Sequence, residues 1–222
     1  MKKGLAQKLI TALNHQSDKI NAAAMGAYMK DNFEFFGVKS QTRSQCMREV
    51  LKENKLPEVE ILRAEIKELW LCPKREAQYL ALEIYRKEIK NENEDAIEFL
   101  QWMITTGSWW DTVDSIASNL VGPLVSKFPS IKNTHLNFWI NDKNLWLRRT
   151  SLIFQLKYKD QVDEDFLTRA IEANIHDKDF FMRKAIGWSL RQYSKFNPSF
   201  VRQLVRTMPL SKLSHKEASK YL

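Results

Sequence analysis

Apolar residues recur along this chain at intervals of three and four from one end to the other. That interval places them on one stripe of an α-helix, and no stretch alternates convincingly as a half-buried strand does. The periodicity predicts helices over 3–14, 18–35, 42–54, 57–71, 74–90, 94–105, 109–127, 132–141, 145–158, 164–174, 180–196, 199–208 and 212–220. The breaks between them carry ordinary stop signals: Gly37, Pro57, Pro73, Gly107, Pro129, Pro198 and Pro209. Gly122-Pro123 is expected to kink or split the helix of 109–127. Six glycines and six prolines in 222 residues are few for the many turns of a β-sandwich or barrel. The expectation is all-α, with helices joined by short loops.

The helical pattern also repeats. Asp142-Lys143-Asn144-Leu145-Trp146-Leu147-Arg148-Arg149 returns as Asp177-Lys178-Asp179-Phe180-Phe181-Met182-Arg183-Lys184, a shift of 35 (142 to 177). At the same shift Leu156-Lys157-Tyr158 falls opposite Arg191-Gln192-Tyr193, and weaker echoes occur over 72–77 and 108–110. Helix pairs returning every ~35–40 residues mark an α-solenoid of HEAT or armadillo type, with one continuous core and a concave inner surface. About six HEAT-like pairs fit the length, so 1–222 is expected to be a single repeat domain.

Within this pattern Ser108-Trp109-Trp110-Asp111-Thr112-Val113-Asp114 stands out. Ser108 and Asp111 have the spacing of a capping box, which predicts a helix beginning at Trp109. Trp110 and Asp114 are then i and i+4 on one face, and Trp109 is expected to pack inside. A flat π surface beside a carboxylate is a receptor for a positive charge. Trp110, Arg149 and Trp188 follow one another at intervals of 39. That is the repeat shift plus four residues, about one helical turn, so the face is kept. The arithmetic predicts a cleft lined by Trp110, Asp114, Arg149, Trp188 and Arg191. Buried Asp and Arg are costly unless paired, so an Asp114–Arg149 salt bridge is the alternative reading of that pair.

Charge narrows the partner. Lys and Arg exceed Asp and Glu by 35 to 27, and from Asn197 onward Glu217 is the single acid among Arg202, Arg206, Lys212, Lys216 and Lys220. A basic excess of this kind favours an anionic partner, nucleic acid before a membrane surface. No apolar run reaches the ~18 residues of a membrane span. The segment 4–13 is interrupted by Gln7 and Lys8, so an amphipathic helix is expected there and no signal peptide. Cys46 and Cys72 are expected as buried thiols in a reducing cytoplasm. His15, His135, His176 and His215 are isolated, and no phosphate-binding G-x-x-x-x-G-K-[ST] loop occurs. Neither a metal nor another cofactor is expected.

At this point the chain resembles a known family. The block 108–115, Trp146-Leu147-Arg148-Arg149, Phe154-Gln155-Leu156-Lys157-Tyr158-Lys159 and Lys184-Ala185-Ile186-Gly187-Trp188 are similar to the signature blocks of the bacterial AlkD-like DNA glycosylases. Tyr28-Met29-Lys30 and Glu68-Leu69-Trp70 extend the similarity over nearly the whole chain. The resemblance implies a HEAT-like-repeat enzyme, a bacterial cytoplasmic monomer associated with the nucleoid, that binds duplex DNA on its concave face. It implies hydrolysis of the N-glycosidic bond of N3- and N7-alkylated purines, such as 3-methyladenine and 7-methylguanine, without full extrusion of the base. In that analogy Trp110 and Trp188 pack on the deoxyribose, Asp114 faces the anomeric carbon and positions the water, and Arg149 holds a phosphate. Tyr28 completes the aromatic wall, Arg191 lies at the DNA surface, and the loop containing Lys39, Ser40 and Arg43 meets the duplex. An uncharged polar residue is usual at the position of Lys39.

The implied chemistry is physically reasonable. A cationic purine leaves without an acid, and the sugar becomes oxocarbenium-like as the bond breaks. One carboxylate at about 4 Å is worth roughly 1–4 kcal/mol, depending on the effective dielectric. Each tryptophan face adds roughly 0.5–2 kcal/mol. A sum near 5 kcal/mol corresponds to a rate gain on the order of 10³ to 10⁴. This suits cationic lesions and is poor equipment for neutral ones. Arg43, Lys143, Arg148, Arg149, Lys184 and Arg191 are the candidate phosphate ligands, and about six such contacts give a log–log salt slope near −5. Two other readings stand beside the enzyme. One is a non-catalytic HEAT-repeat protein that binds damaged or branched DNA, and the other is a peptide-binding adaptor.

Overall fold

A computed structural model describes residues 4–222. Among them every regular element is helical, and the only β pairing is an isolated bridge between Glu34 and Lys74. No described helix is long and apolar enough to cross a membrane. The chain divides into two compact units, one running to Asn91 and the other from Glu92 to Leu222. Each is described by itself below, where the sequence leads one to expect a single repeat domain.

The first unit contains α1 (Leu5–His15), α2 (Lys19–Tyr28), α3 (Ser40–Glu53), α4 (Val59–Leu71) and α5 (Arg75–Glu88). Leu5, Leu9 and Leu13 stand one turn apart on α1 and are buried together with Leu62, Ile66 and Leu69 of α4 and Leu80 and Ile84 of α5. Burying each such side chain contributes roughly 1.5–3 kcal/mol. The predicted helix of 18–35 starts as expected, because the Asp18 carboxylate accepts the N–H groups of Ile20 and Asn21 at 2.8 and 3.0 Å. It ends early. Lys30 and Asp31 take left-handed φ angles of 56° and 57°, which turn the backbone out of the helix after Tyr28.

The loop that follows is held by one buried carboxylate. Glu76, 1% exposed, accepts the N–H groups of Phe36, Gly37 and Val38 at 2.9, 2.8 and 3.0 Å. Gly37 is required there: its φ is +86°, and a Cβ would lie 2.0 Å from the carbonyl oxygen of Asp18.

The second unit contains α6 (Ala96–Thr105), α7 (Trp110–Ile116), α8 (Gly122–Lys127), α9 (Asn137–Trp139), α10 (Leu145–Ile153), α11 (Glu164–Asn174), α12 (Phe180–Tyr193), α13 (Pro198–Thr207) and α14 (Lys212–Ala218). A π-helical turn over Ala117–Val121 joins α7 to α8. It answers the expected kink, since Pro123 has no N–H to continue the α-helical ladder. The predicted helix of 145–158 stops at Ile153, and Lys159 takes a left-handed φ of 59°. The two loops of the repeat cap their helices alike. Asn144 caps α10 through the N–H groups of Trp146 and Leu147, and Asp179 caps α12 through those of Phe181 and Met182. Helix α10 packs against α7 on one side and α12 on the other, and α12 packs in turn against α14. That last contact is intimate, because a Cβ on Gly187 would come within 2.5 Å of the Glu217 Cβ.

Candidate active site

Stacking α7, α10 and α12 brings the equally spaced residues together. Trp110, Arg149, Trp188 and Arg191 line one cleft of about 390 Å³, together with Phe180, Phe181, Lys184, Glu217 and Lys220. The register argument thus places four of its five cleft residues in the wall. The fifth, Asp114, is not a wall residue. Its side chain is 17% exposed and is bonded to Arg149, which does line the cleft.

The Asp114–Arg149 pair is bidentate. Nε of Arg149 donates to Oδ1 at 2.7 Å and Nη2 donates to Oδ2 at 2.8 Å. Nη1 donates to the carbonyl oxygen of Phe181, so all three nitrogens are engaged. The alternative reading of the pair, a salt bridge, is therefore what the structure forms. A free guanidinium reserved for a phosphate is not. Burial pushes the Asp114 carboxyl above its ordinary value; the hydrogen bonds and charge of Arg149 oppose the rise, and the charge of Asp111 adds to it. Two acceptor oxygens facing two N–H groups is the geometry of an ionised carboxylate. Arg149 thus holds as an anion a group that burial would otherwise neutralise.

The local start of α7 differs from the predicted capping box. The helix begins at Trp110, with Trp109 as an extended N-cap at φ −158° and ψ 163°. The Ser108 hydroxyl donates instead to the carbonyl of Ile104 at 2.6 Å, finishing the preceding helix. Ser108 is thus not the N-cap of α7. Trp109 packs half-buried, its ring centroid 5.8 Å from Trp146 and 5.2 Å from Phe181. This aromatic block fixes Phe181, whose carbonyl holds Arg149.

Glu217 of α14 was not singled out as a site residue by the sequence. Its side chain is 8% exposed and receives Lys184 at 2.9 Å, Lys220 at 3.1 Å and a further bond from Arg191. The hydrogen bond from Lys184, then that from Lys220, pulls its carboxyl down to about 2, against the opposing effect of desolvation. The signal available was its position as the single acid in a basic segment, three residues before Lys220. Phe180 and Phe181 were legible only as the aromatic pair opening the repeat copy at 177–184.

The remaining predicted contacts are distributed. Lys143 is exposed. Arg148 donates to the carbonyls of Asp142 and Lys143 and to the Asp177 carboxylate, which makes it a clamp between the two repeat loops. In the first unit Tyr28, Lys39, Ser40 and Arg43 line a separate cleft of about 390 Å³. Tyr28 is 71% exposed. Arg43 is committed to Glu83 at 2.8 Å, with its guanidinium 4.9 Å from the Tyr79 ring centroid.

Two tryptophans, Trp110 and Trp188, and the cations Arg149, Lys184, Arg191 and Lys220 thus meet at one cleft of an all-helical unit. A family model described as DNA alkylation repair enzyme matches residues 9–222, and the chain belongs to that family. A solved structure, described as a predicted DNA alkylation repair enzyme from Enterococcus faecalis, is 34% identical with a TM-score of 0.86. The similarity covers 93% of this chain and 96% of that one, and the fold is the α-solenoid-like fold of the family. No curated protein matches.

Proposed function

We propose that the protein is a DNA-alkylpurine N-glycosylase that removes cationic N3- and N7-alkylated purines from duplex DNA. The observation that carries this reading is the union, in a DNA alkylation repair family member, of two tryptophans in the wall of one cleft with a carboxylate held behind that wall by Arg149. As the C1′–N bond breaks, its electron pair leaves with the purine and cancels the charge on the base. The positive charge that remains on the sugar is the one the π faces of Trp110 and Trp188 and the Asp114 carboxylate stabilise. Water then adds at C1′ and gives up its proton to Asp114 or to solvent.

Arg149 acts in this scheme through Asp114, by keeping it ionised and fixing its plane. Lys184 and Arg191 meet the phosphodiester backbone. Tyr28, Lys39 and Ser40 of the first unit, with Lys143, are assigned to duplex contact. The test is release of 7-methylguanine from duplex DNA in single turnover, wild type beside Asp114→Asn. Loss of roughly 100-fold or more in the variant, with DNA affinity kept, is expected. Equal release by both proteins would remove Asp114 from the mechanism. Binding without release by the wild type would favour the non-catalytic DNA-binding reading.

A further inference from the structure

The cluster around Glu217 asks for an explanation beyond a salt bridge. Three cations, Lys184, Arg191 and Lys220, converge on one carboxylate, which leaves the group two positive charges in excess. The carboxylate is 8% exposed, while the cations are 37, 24 and 44% exposed, and all four side chains belong to the wall of the cleft. Arg191 spends one N–H on Glu217 and Lys184 likewise one, so most of their donors face elsewhere. Holding like charges together is unfavourable in the free protein. It becomes favourable when an anion arrives between them, because the cost of ordering the long side chains has already been met.

We propose that Glu217 is a positioning residue, which sets Lys184, Arg191 and Lys220 as a rim gripping one phosphodiester of the strand whose sugar enters the cleft. The proposal rests on the glycosylase reading for the identity of that strand. It brings α14 and the turn after it, including Lys220, into the working site.

The experiment has a binding arm and a chemical arm. In the first, affinity for a duplex carrying a tetrahydrofuran sugar, which has no base to lose, is measured across a salt series. Lys184→Gln and Lys220→Gln are each expected to weaken binding about three- to tenfold and to reduce the log–log salt slope by about 1. Unchanged slopes in both would overturn the rim. In the second arm Glu217→Gln is expected to move two readouts in opposite directions. Affinity for undamaged duplex holds or rises, because a negative charge has gone. Single-turnover release of 7-methylguanine falls roughly tenfold, because the rim has lost its shape. A fall in both, with a lower melting temperature, would reduce Glu217 to a structural role and overturn its positioning role. Should Glu217→Gln fail to fold, the exposed Lys220→Gln carries the decision through its slope and release rate, full retention of both overturning the proposal. No release by the wild type would sink the glycosylase reading, while the tetrahydrofuran slopes would still decide the rim.

Discussion

Each unit has a cleft of about 390 Å³ beside a buried glutamate, and the two glutamates are used in opposite ways. Glu76 of the first unit spends its charge on three neutral backbone N–H groups of the loop 36–38. Glu217 of the second gathers three side-chain cations. One carboxylate therefore builds backbone shape, and the other builds an electrostatic surface. The first cleft is framed by Tyr28 and by an arginine already committed to Glu83, while the second keeps positive charge in excess next to Trp110 and Trp188. A buried acid is therefore a poor guide to function until its partners are known.

The strongest way to break this contrast is to remove Glu76. Hydrogen bonds from neutral donors to a charged group contribute roughly 1.5–3 kcal/mol each, and an alanine leaves three buried N–H groups without a partner. Glu76→Ala is expected to cost about 3–5 kcal/mol in chemical denaturation and to abolish hydrogen-exchange protection at Phe36, Gly37 and Val38. A loss under 1 kcal/mol would mean the loop is fixed by other contacts.

Glu217 predicts a smaller loss with a pH signature. Its folded pKa, about 2, lies below the ordinary glutamate value of 4.5, so the unfolded chain takes up protons first as pH falls. The stabilisation is complete above about 4.5 and disappears as pH drops towards 2. Allowing for solvent screening of the half-exposed cations, it amounts to roughly 1–3 kcal/mol. Glu217→Gln should flatten that part of the stability–pH curve. An unchanged acid limb in the variant would show that other carboxylates set it.

Asp114 is shifted the other way, and its test is kinetic. Its folded pKa is raised, mainly by burial, so base release should fall with decreasing pH along a limb that lies above the ordinary carboxylate range. Arg149 opposes the rise. Arg149→Gln should therefore move the limb to still higher pH, as well as lowering the plateau. A limb that stays in place would mean that Arg149 does not control the ionisation of Asp114.

How much of this was legible beforehand follows from what kind of signal each feature leaves. Helices and the Trp110–Arg149–Trp188 register are periodic, and periodicity survives in a single sequence. The helix of 164–174 is found with its predicted bounds, and the two copies of the repeat loop prove alike in structure, Asn144 and Asp179 capping their helices at equivalent positions. What failed was local and conditional. Ser108 had the spacing of a cap, but α7 starts one residue later than predicted, at Trp110, which leaves Ser108 before the cap position, where its hydroxyl donates to the Ile104 carbonyl. The helix of 18–35 continued in composition but not in conformation, because two left-handed residues and the pull of Glu76, some 40 residues away in sequence, settle the loop. Glu217 was visible as an isolated acid, but its role depends on α14 packing against Gly187, a contact with no periodic trace.

The smallest effect sharpens the contrast most. Arg43 belongs to the basic set expected to neutralise phosphates, yet the structure commits it to Glu83 and to the face of Tyr79. Its side chain is 14% exposed. A partly exposed pair of this kind contributes about 1 kcal/mol or less, so Arg43→Gln should change stability little. If the charge is already spent inside the unit, the salt slope for duplex binding should also be unchanged, while Lys184→Gln lowers it by about 1. A matching drop for Arg43→Gln would mean that Glu83 gives up its partner when DNA arrives. The first cleft would then also neutralise phosphate charge, and the division between a shape-building unit and a charge-building unit would no longer hold.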